Sequence, residues 1–266
     1  MGNNKLSVAY EQREAFKIFD AAIIKYMPNN KRIYRKNLKS VKNTINEPLK
    51  LLAINKLKSL FGDDYINKIP IEFEFFTLTS GGNSGGTEFI FDEEPELKFL
   101  VSFNKHLREL YKKDIREFCL TFGDIFTHEL THCIQYVKQY KSIGIDENAL
   151  KESIFKNKED LLKLDIRYTT LNQYYEDLPY FSKHEELICY AKDAARQLLT
   201  VYKDKKIIFD KLSITSKLEE LSQSSDCFYY YYDCFYNKIP GLPQYKFLWH
   251  RFIKQLCHNL TEDFTI

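Results

Sequence analysis

The sequence predicts an α+β fold, mostly α-helical, and three observations carry that prediction. Apolar residues recur every three or four positions through most of the 266 residues, which is the period of an amphipathic helix. One stretch, residues 71–103, changes to a period of two. Hydrophobic residues make up 44% of the chain and aromatic residues 15%, enough for a sizeable core and too much for a disordered chain.

Residues 9–27 predict a helix with Phe16, Phe19, Ile23 and Tyr26 on one stripe, ended by Pro28-Asn29-Asn30. A second helix is expected from Glu47-Pro48, with proline near its first turn, to Phe61, where Gly62 stops it. Ile71, Phe73 and Phe75 then alternate with Glu72 and Glu74, the mark of a strand with one wet face. Segments 88–91 and 99–103 complete a small sheet, expected to be antiparallel. The run Gly81-Gly82-Asn83-Ser84-Gly85-Gly86 has the composition of a phosphate loop. No Gly-Lys-Ser/Thr follows it, and it reads as a flexible connection between strands.

Further helices are expected near 105–112, 116–141, 147–165, 184–203, 206–222 and 244–260. The segment from Cys227 to Tyr236, with four consecutive tyrosines, reads as a helix or turn packed under the C-terminal helices, its phenol oxygens reaching water. An aromatic stacking surface is the functional alternative.

Charge is unevenly spread. Residues 1–70 carry 14 Lys/Arg against 6 Asp/Glu, and the remainder carries 25 against 31. The densest basic part is Lys31, Arg32, Arg35, Lys36, Lys39 and Lys42, read as a solvated helix face, with a nucleic-acid contact as the alternative. No stretch approaches the roughly 18 apolar residues of a membrane span, and the first residues lack the apolar run of a signal peptide. Met1-Gly2 opens like a myristoylation site, but Leu6 stands where that motif needs Ser or Thr. The six cysteines show no zinc-ribbon or CxxC spacing and are expected to be free, mostly buried thiols of a cytoplasmic protein.

The residues that point to chemistry are His128-Glu129-Leu130-Thr131-His132. Four residues apart on a helix, His128 and His132 project from one face and can hold one metal ion. Glu129 can reach a water on that metal as general base, which is the zinc-hydrolase arrangement. A shuffled chain of this composition would show the pattern only about once in a hundred. Catalytic zinc takes three protein ligands and a water, so a third donor is needed. Gln135 and Lys138 stand where an extended motif would place Gly and a third His, which excludes that arrangement. Of the other histidines, His250 and His258 lie in a Trp- and Phe-rich stretch that reads as packing. The segment from Tyr180 to Ala191 opens a helix with His184, Glu185 and Glu186 in its first turn, and the residues alone leave the three open.

The motif His128-Glu129-Leu130-Thr131-His132-Cys133-Ile134-Gln135, followed by Tyr180, Glu186 and Cys189-Tyr190-Ala191, resembles a group of HExxH proteins of bacteriophages and bacteria over roughly residues 70–203. In that resemblance His184 replaces a proline and Cys189 an alanine. It implies a zincin-like fold of the gluzincin type: a small antiparallel sheet packed on an active-site helix, and a second helix bearing the ligand Glu. Position by position, that Glu falls on Glu186, so His128, His132 and Glu186 are expected to bind one zinc ion. Residues 1–68 would be a basic helical extension, 69–203 the catalytic core, and 204–266 a helical region packed on it.

On this reading Glu129 is the general base of a metallopeptidase acting on a protein or peptide. Asp193 would fix a ligand histidine's tautomer, against the plain alternative of an exposed Asp paired with Lys192 or Arg196. Tyr180 and Tyr190 are the oxyanion candidates. Residues 99–103 would be an edge strand aligning a peptide. The host cytoplasm or a virion is the expected location if the protein is phage-encoded. A non-enzymatic zincin-like protein of a phage or of host interaction, and a nucleic-acid-binding protein using the basic N-terminal segment, are the alternatives.

Overall fold

The computed structural model describes residues 9–27, 35–77, 85–90, 96–143, 184–237 and 243–261. The chain forms two compact units, Met1–Ser142 with Ile266, and Ile143–Thr265.

In the first unit, α1 (Ala9–Tyr26), α2 (Arg35–Phe61) and a single turn α3 (Asp63–Ile66) precede β1 (Ile71–Thr77), β2 (Gly85–Ile90) and β3 (Glu96–Phe103). Helices α4 (Lys105–Lys113) and α5 (Ile115–Ile143) follow. The second helix starts twelve residues before Glu47, counting from Arg35, so Pro48 lies inside it and not in its first turn. Leu38, Val41, Ile45, Leu49, Ala53 and Leu57 form one buried stripe through the proline, and that burial holds the helix together. Pro48 itself is exposed, on the face where a missing N–H costs least. Within the basic segment Lys36 and Lys39 are exposed and Lys42 pairs with Glu74, while Lys31 and Arg32 lie outside the described residues.

The sheet is mixed, not antiparallel as expected. Its order is β1-β3-β2, with β1 parallel and β2 antiparallel to the central β3. The alternation on β1 is as read: Ile71, Phe73 and Phe75 are buried, and Glu72 and Glu74 exposed. Residues 99–103 therefore belong to the middle strand, whose two sides are both paired, and cannot be an edge that aligns a peptide. Of the two outer strands, β1 is flanked by α2, whose Asn46 Oδ1 accepts the Phe75 N–H at 3.2 Å. Glu72 and Glu88 flank Lys98 on the outer face, and Lys98 is held protonated above the usual lysine range, first by its bond to Glu96.

Helix α5 lies on this sheet through Phe118, Phe122, Phe126, Leu130 and Val137, all fully buried. Phe126 meets Phe73 and Phe99 with ring centroids 5.7 and 5.8 Å apart, and Phe122 meets Phe75 edge-on at 5.8 Å. Phe19 of α1 stacks on Phe122 at 3.6 Å and meets Phe75 edge-on at 5.8 Å. Gly123 lets the two helices approach, since a β-carbon there would stand 3.2 Å from the Gln12 carbonyl oxygen. Gln12 Nε2 donates to Asp124 of α5 and Lys56 of α2 pairs with Glu11, so buried polar ties accompany the apolar contacts of α1. Helices α1 and α2 share one core with the sheet and α5.

The second unit's described part is helical: α6 (His184–Tyr202), α7 (Lys205–Leu212), a 3-10 turn (Thr215–Lys217), α8 (Leu218–Ser224), α9 (Asp226–Tyr232), a π turn (Asp233–Asn237) and α10 (Pro243–Thr261). The single helix expected over 206–222 is broken at Ser213-Ile214, and the helix expected near 147–165 lies outside the described residues. Ala191, Ala194 and Ala195 of α6 pack in one core with Trp249, Phe252 and Leu256 of α10. Tyr231 lies flat on Phe252, centroids 4.2 Å apart. The tyrosine segment thus packs under the C-terminal helix as read, with Tyr229 and Tyr230 exposed but Tyr231 wholly buried. Among the described residues no helix is long and apolar enough to cross a membrane, and all six cysteines are free.

Replacing Phe122 by Ala should cost about 3–5 kcal/mol in urea unfolding, because it opens the centre of the first core; a loss below about 1 kcal/mol would contradict this packing. Burial, and then the Asp20 carboxylate, push the Cys119 thiol up to about 12 from an ordinary value of 9.0. The raised folded value means its stabilising contribution is present below 9.0 and is lost as pH rises toward 12. The fall in stability above about pH 9 should therefore be shallower in Cys119→Ala than in the wild type in pH-dependent urea unfolding, and iodoacetamide should leave native Cys119 unlabelled at about pH 8.

Candidate metal centre

The phenylalanine stripe fixes which way α5 is turned. Each residue advances ~100° around a helix, so His128 and His132 fall on the side away from that stripe and Glu129 on its flank. The two imidazoles lie 5.0 Å apart between centroids, at 69° to each other. His132 is buried and His128 half-buried. His132 Nδ1 stands 3.2 Å from Gln135 Oε1. An amide oxygen can only accept, so this contact is a hydrogen bond in the tautomer that carries its proton on Nδ1. Tyr136 stacks along the same imidazole at 6.4 Å.

Glu129 is buried against β2. The Thr87 hydroxyl donates to Glu129 Oε2 at 2.7 Å, with the Glu129 backbone carbonyl a second acceptor at 3.1 Å. Gly85, two residues earlier on the same face of the strand, leaves room for the carboxylate. A β-carbon there would stand 2.5 Å from Oε1 and 2.9 Å from both Cδ and Cγ of Glu129. Burial, and then the Glu129 carboxylate, push the adjacent Cys133 thiol well above the ordinary thiol value, so it stays neutral.

Sequence reasoning missed Gly85, Thr87 and Gln135. Extending the strand period back from Phe89 reaches Thr87 and Gly85, which was the available signal; the glycine run concealed it. Gln135 is one turn after His132, a neighbour that helix spacing alone could have named.

In the second unit, Glu186, Cys189 and Asp193 follow one another along one side of α6, and all three are buried. The Tyr231 phenol is held protonated well above its usual value, first by burial and then by the Glu186 carboxylate beside it. Asp193 is not the exposed residue of the plain alternative, but it does have Lys192 Nζ at 3.5 Å. Tyr190 is half-buried, its ring edge-on to Tyr230 at 6.2 Å and tilted against Tyr231 at 5.8 Å. Tyr180 and the side chains of His184 and Glu185 lie outside the described residues. His250 and His258 are on the exposed side of α10, away from the packing of Trp249 and Phe252.

On the expectation that His128 and His132 hold zinc, Gln135→Leu should weaken its binding about 10- to 100-fold in competition with a chromophoric chelator, because the contact that orients the His132 ring is lost. An unchanged affinity would mean Gln135 plays no part in presenting His132. No protein-family model, no curated protein and no solved structure matches this chain.

Proposed function

We propose that the chain is a zinc-dependent metallopeptidase, in which His128, His132 and Glu186 hold one zinc ion and Glu129 is the general base. The observation that carries the reading is the pair of imidazoles 5.0 Å apart on one side of α5, with a buried carboxylate at the very next position. The donor chemistry fits zinc: two imidazoles, one of them within hydrogen-bond reach of Gln135, suit a borderline-soft cation.

A zinc ion in such a donor set supplies Lewis acidity and lowers the pKa of a water. The chain's own residues do the rest. Glu129 takes the proton of the attacking water and delivers it to the leaving amine nitrogen. Its fixed position beside β2 means that little reorganisation is needed when the proton moves. The outer strand β2 replaces residues 99–103 as the edge that would align an extended peptide by backbone pairing.

The assignment of Glu186 rests on the sequence motif and on its burial in α6. Cys189, one turn later on the same side of that helix, is the rival donor, and a thiolate is an equally good zinc ligand.

Purified protein should contain about one zinc per chain, and His128→Ala with His132→Ala should abolish it; zinc retained in that variant would remove the basis of the assignment. Glu129→Gln should keep the metal and lose about 10²–10⁴-fold in peptide hydrolysis, and undiminished turnover would rule Glu129 out as base. Glu186→Ala should release zinc where Cys189→Ala retains it; the opposite pattern would move the third ligand to Cys189.

A further inference from the structure

We infer that Gly85 and Thr87 of β2 are positioning residues that form a seat for the Glu129 side chain, so that the outer strand of the sheet fixes the base. The inference rests on the reading of Glu129 as the base, but the seat itself can be tested without any reaction.

Two independent contacts make it. The Thr87 hydroxyl gives its one proton to Glu129 at Oε2, 2.7 Å away, with the backbone carbonyl of the same residue as the weaker second acceptor. Gly85 supplies space. It lies in a strand, and among the described glycines only Gly62 has a positive φ, so backbone conformation does not require glycine at position 85. What requires it is the Glu129 carboxylate, whose Oε1, Cδ and Cγ all stand within 2.9 Å of where a β-carbon would be. Those atoms lie beyond the β-carbon of Glu129, and an alanine at 129 removes every one of them.

The seat ties the base to the sheet. β2 is hydrogen-bonded along Gly85–Ile90 to β3, with Gly85 opposite Val101 and Thr87 opposite Phe99, and Phe99 is packed on Phe126 of α5. The carboxylate is thus gripped by the strand in front and the helix behind. Restricting its rotation keeps it aimed where a proton must be taken.

The first test is a thermal-unfolding cycle on the full chain with Gly85→Ala, Glu129→Ala and the double variant. Gly85→Ala alone should lower the midpoint by several degrees or fail to fold, and the double variant should recover most of that loss relative to Glu129→Ala. A double variant as impaired as Gly85→Ala would overturn the seat. The second test is Thr87→Val beside Thr87→Ser, with zinc content measured and hydrolysis of a fluorogenic peptide library followed. Thr87→Val should lower kcat about tenfold with KM and zinc content unchanged, and Thr87→Ser should restore it. Loss of zinc, or a change confined to KM, would overturn the positioning role. If the zinc-loaded wild-type protein cleaves no member of the library, the peptidase reading fails, while the unfolding cycle still decides whether the seat exists.

Discussion

The packing of one face of α5 on the sheet is the constraint from which the candidate site follows. Phe118, Phe122, Phe126 and Leu130 are fully buried at intervals of four residues, and their rings meet Phe73, Phe75 and Phe99 on two neighbouring strands and Phe19 on α1. Aromatic rings in a close-packed core leave no freedom for the helix to roll, because a rotation of a single residue would trade several of these contacts for voids. With the roll fixed, the positions of His128, Glu129 and His132 around the helix are fixed as well. The histidines face away from the sheet and the carboxylate faces its outer strand. The two histidines and the glutamate therefore differ in direction by the geometry of the helix alone, and the core decides where each points.

The surrounding polar groups refine those directions. Gln135 stands against the His132 ring, and Thr87 with Gly85 borders the Glu129 carboxylate. Each uses a residue type suited to the purpose: an amide oxygen that can only accept, a hydroxyl that can donate, and a glycine that yields its volume. The polar ties of α1 to α5 and α2, Gln12 with Asp124 and Glu11 with Lys56, extend the constraint to the N-terminal helices. Helices α1 and α2, which lie within the segment 1–68 read as a basic extension, are in this sense part of the support of the helix that carries the motif.

Much of this was legible in the sequence where periodicity was strong. The stripe of α1, the alternation of β1, the length of α5 and the bounds of α6 and α10 follow from spacing within a single element. What spacing cannot supply is the partner of an element. The order β1-β3-β2 places the third strand in the middle, and nothing within residues 99–103 distinguishes a middle strand from an outer one when both are apolar on one face. The same limit hid Gly85. Its glycine neighbours resemble a loop, and its role appears only when the Glu129 carboxylate is set against it. Pro48 misled for a local reason: proline favours a helix's first turn, but an exposed position in a helix held by six buried apolar residues tolerates it. The motif itself was plain in the sequence, because two histidines and a glutamate at that spacing need no tertiary information to suggest a metal.

The most direct measurement of the central claim is a crystal structure of the purified, untreated protein with anomalous data collected on both sides of the zinc absorption edge. The account predicts a single strong zinc peak bonded to Nε2 of His128 and of His132, at roughly 2.0–2.1 Å, with a carboxylate oxygen of Glu186 as third ligand and Glu129 seated beside Thr87 without touching the metal. A protein without zinc at the two histidines, or with Glu129 itself bound to the metal, would contradict it.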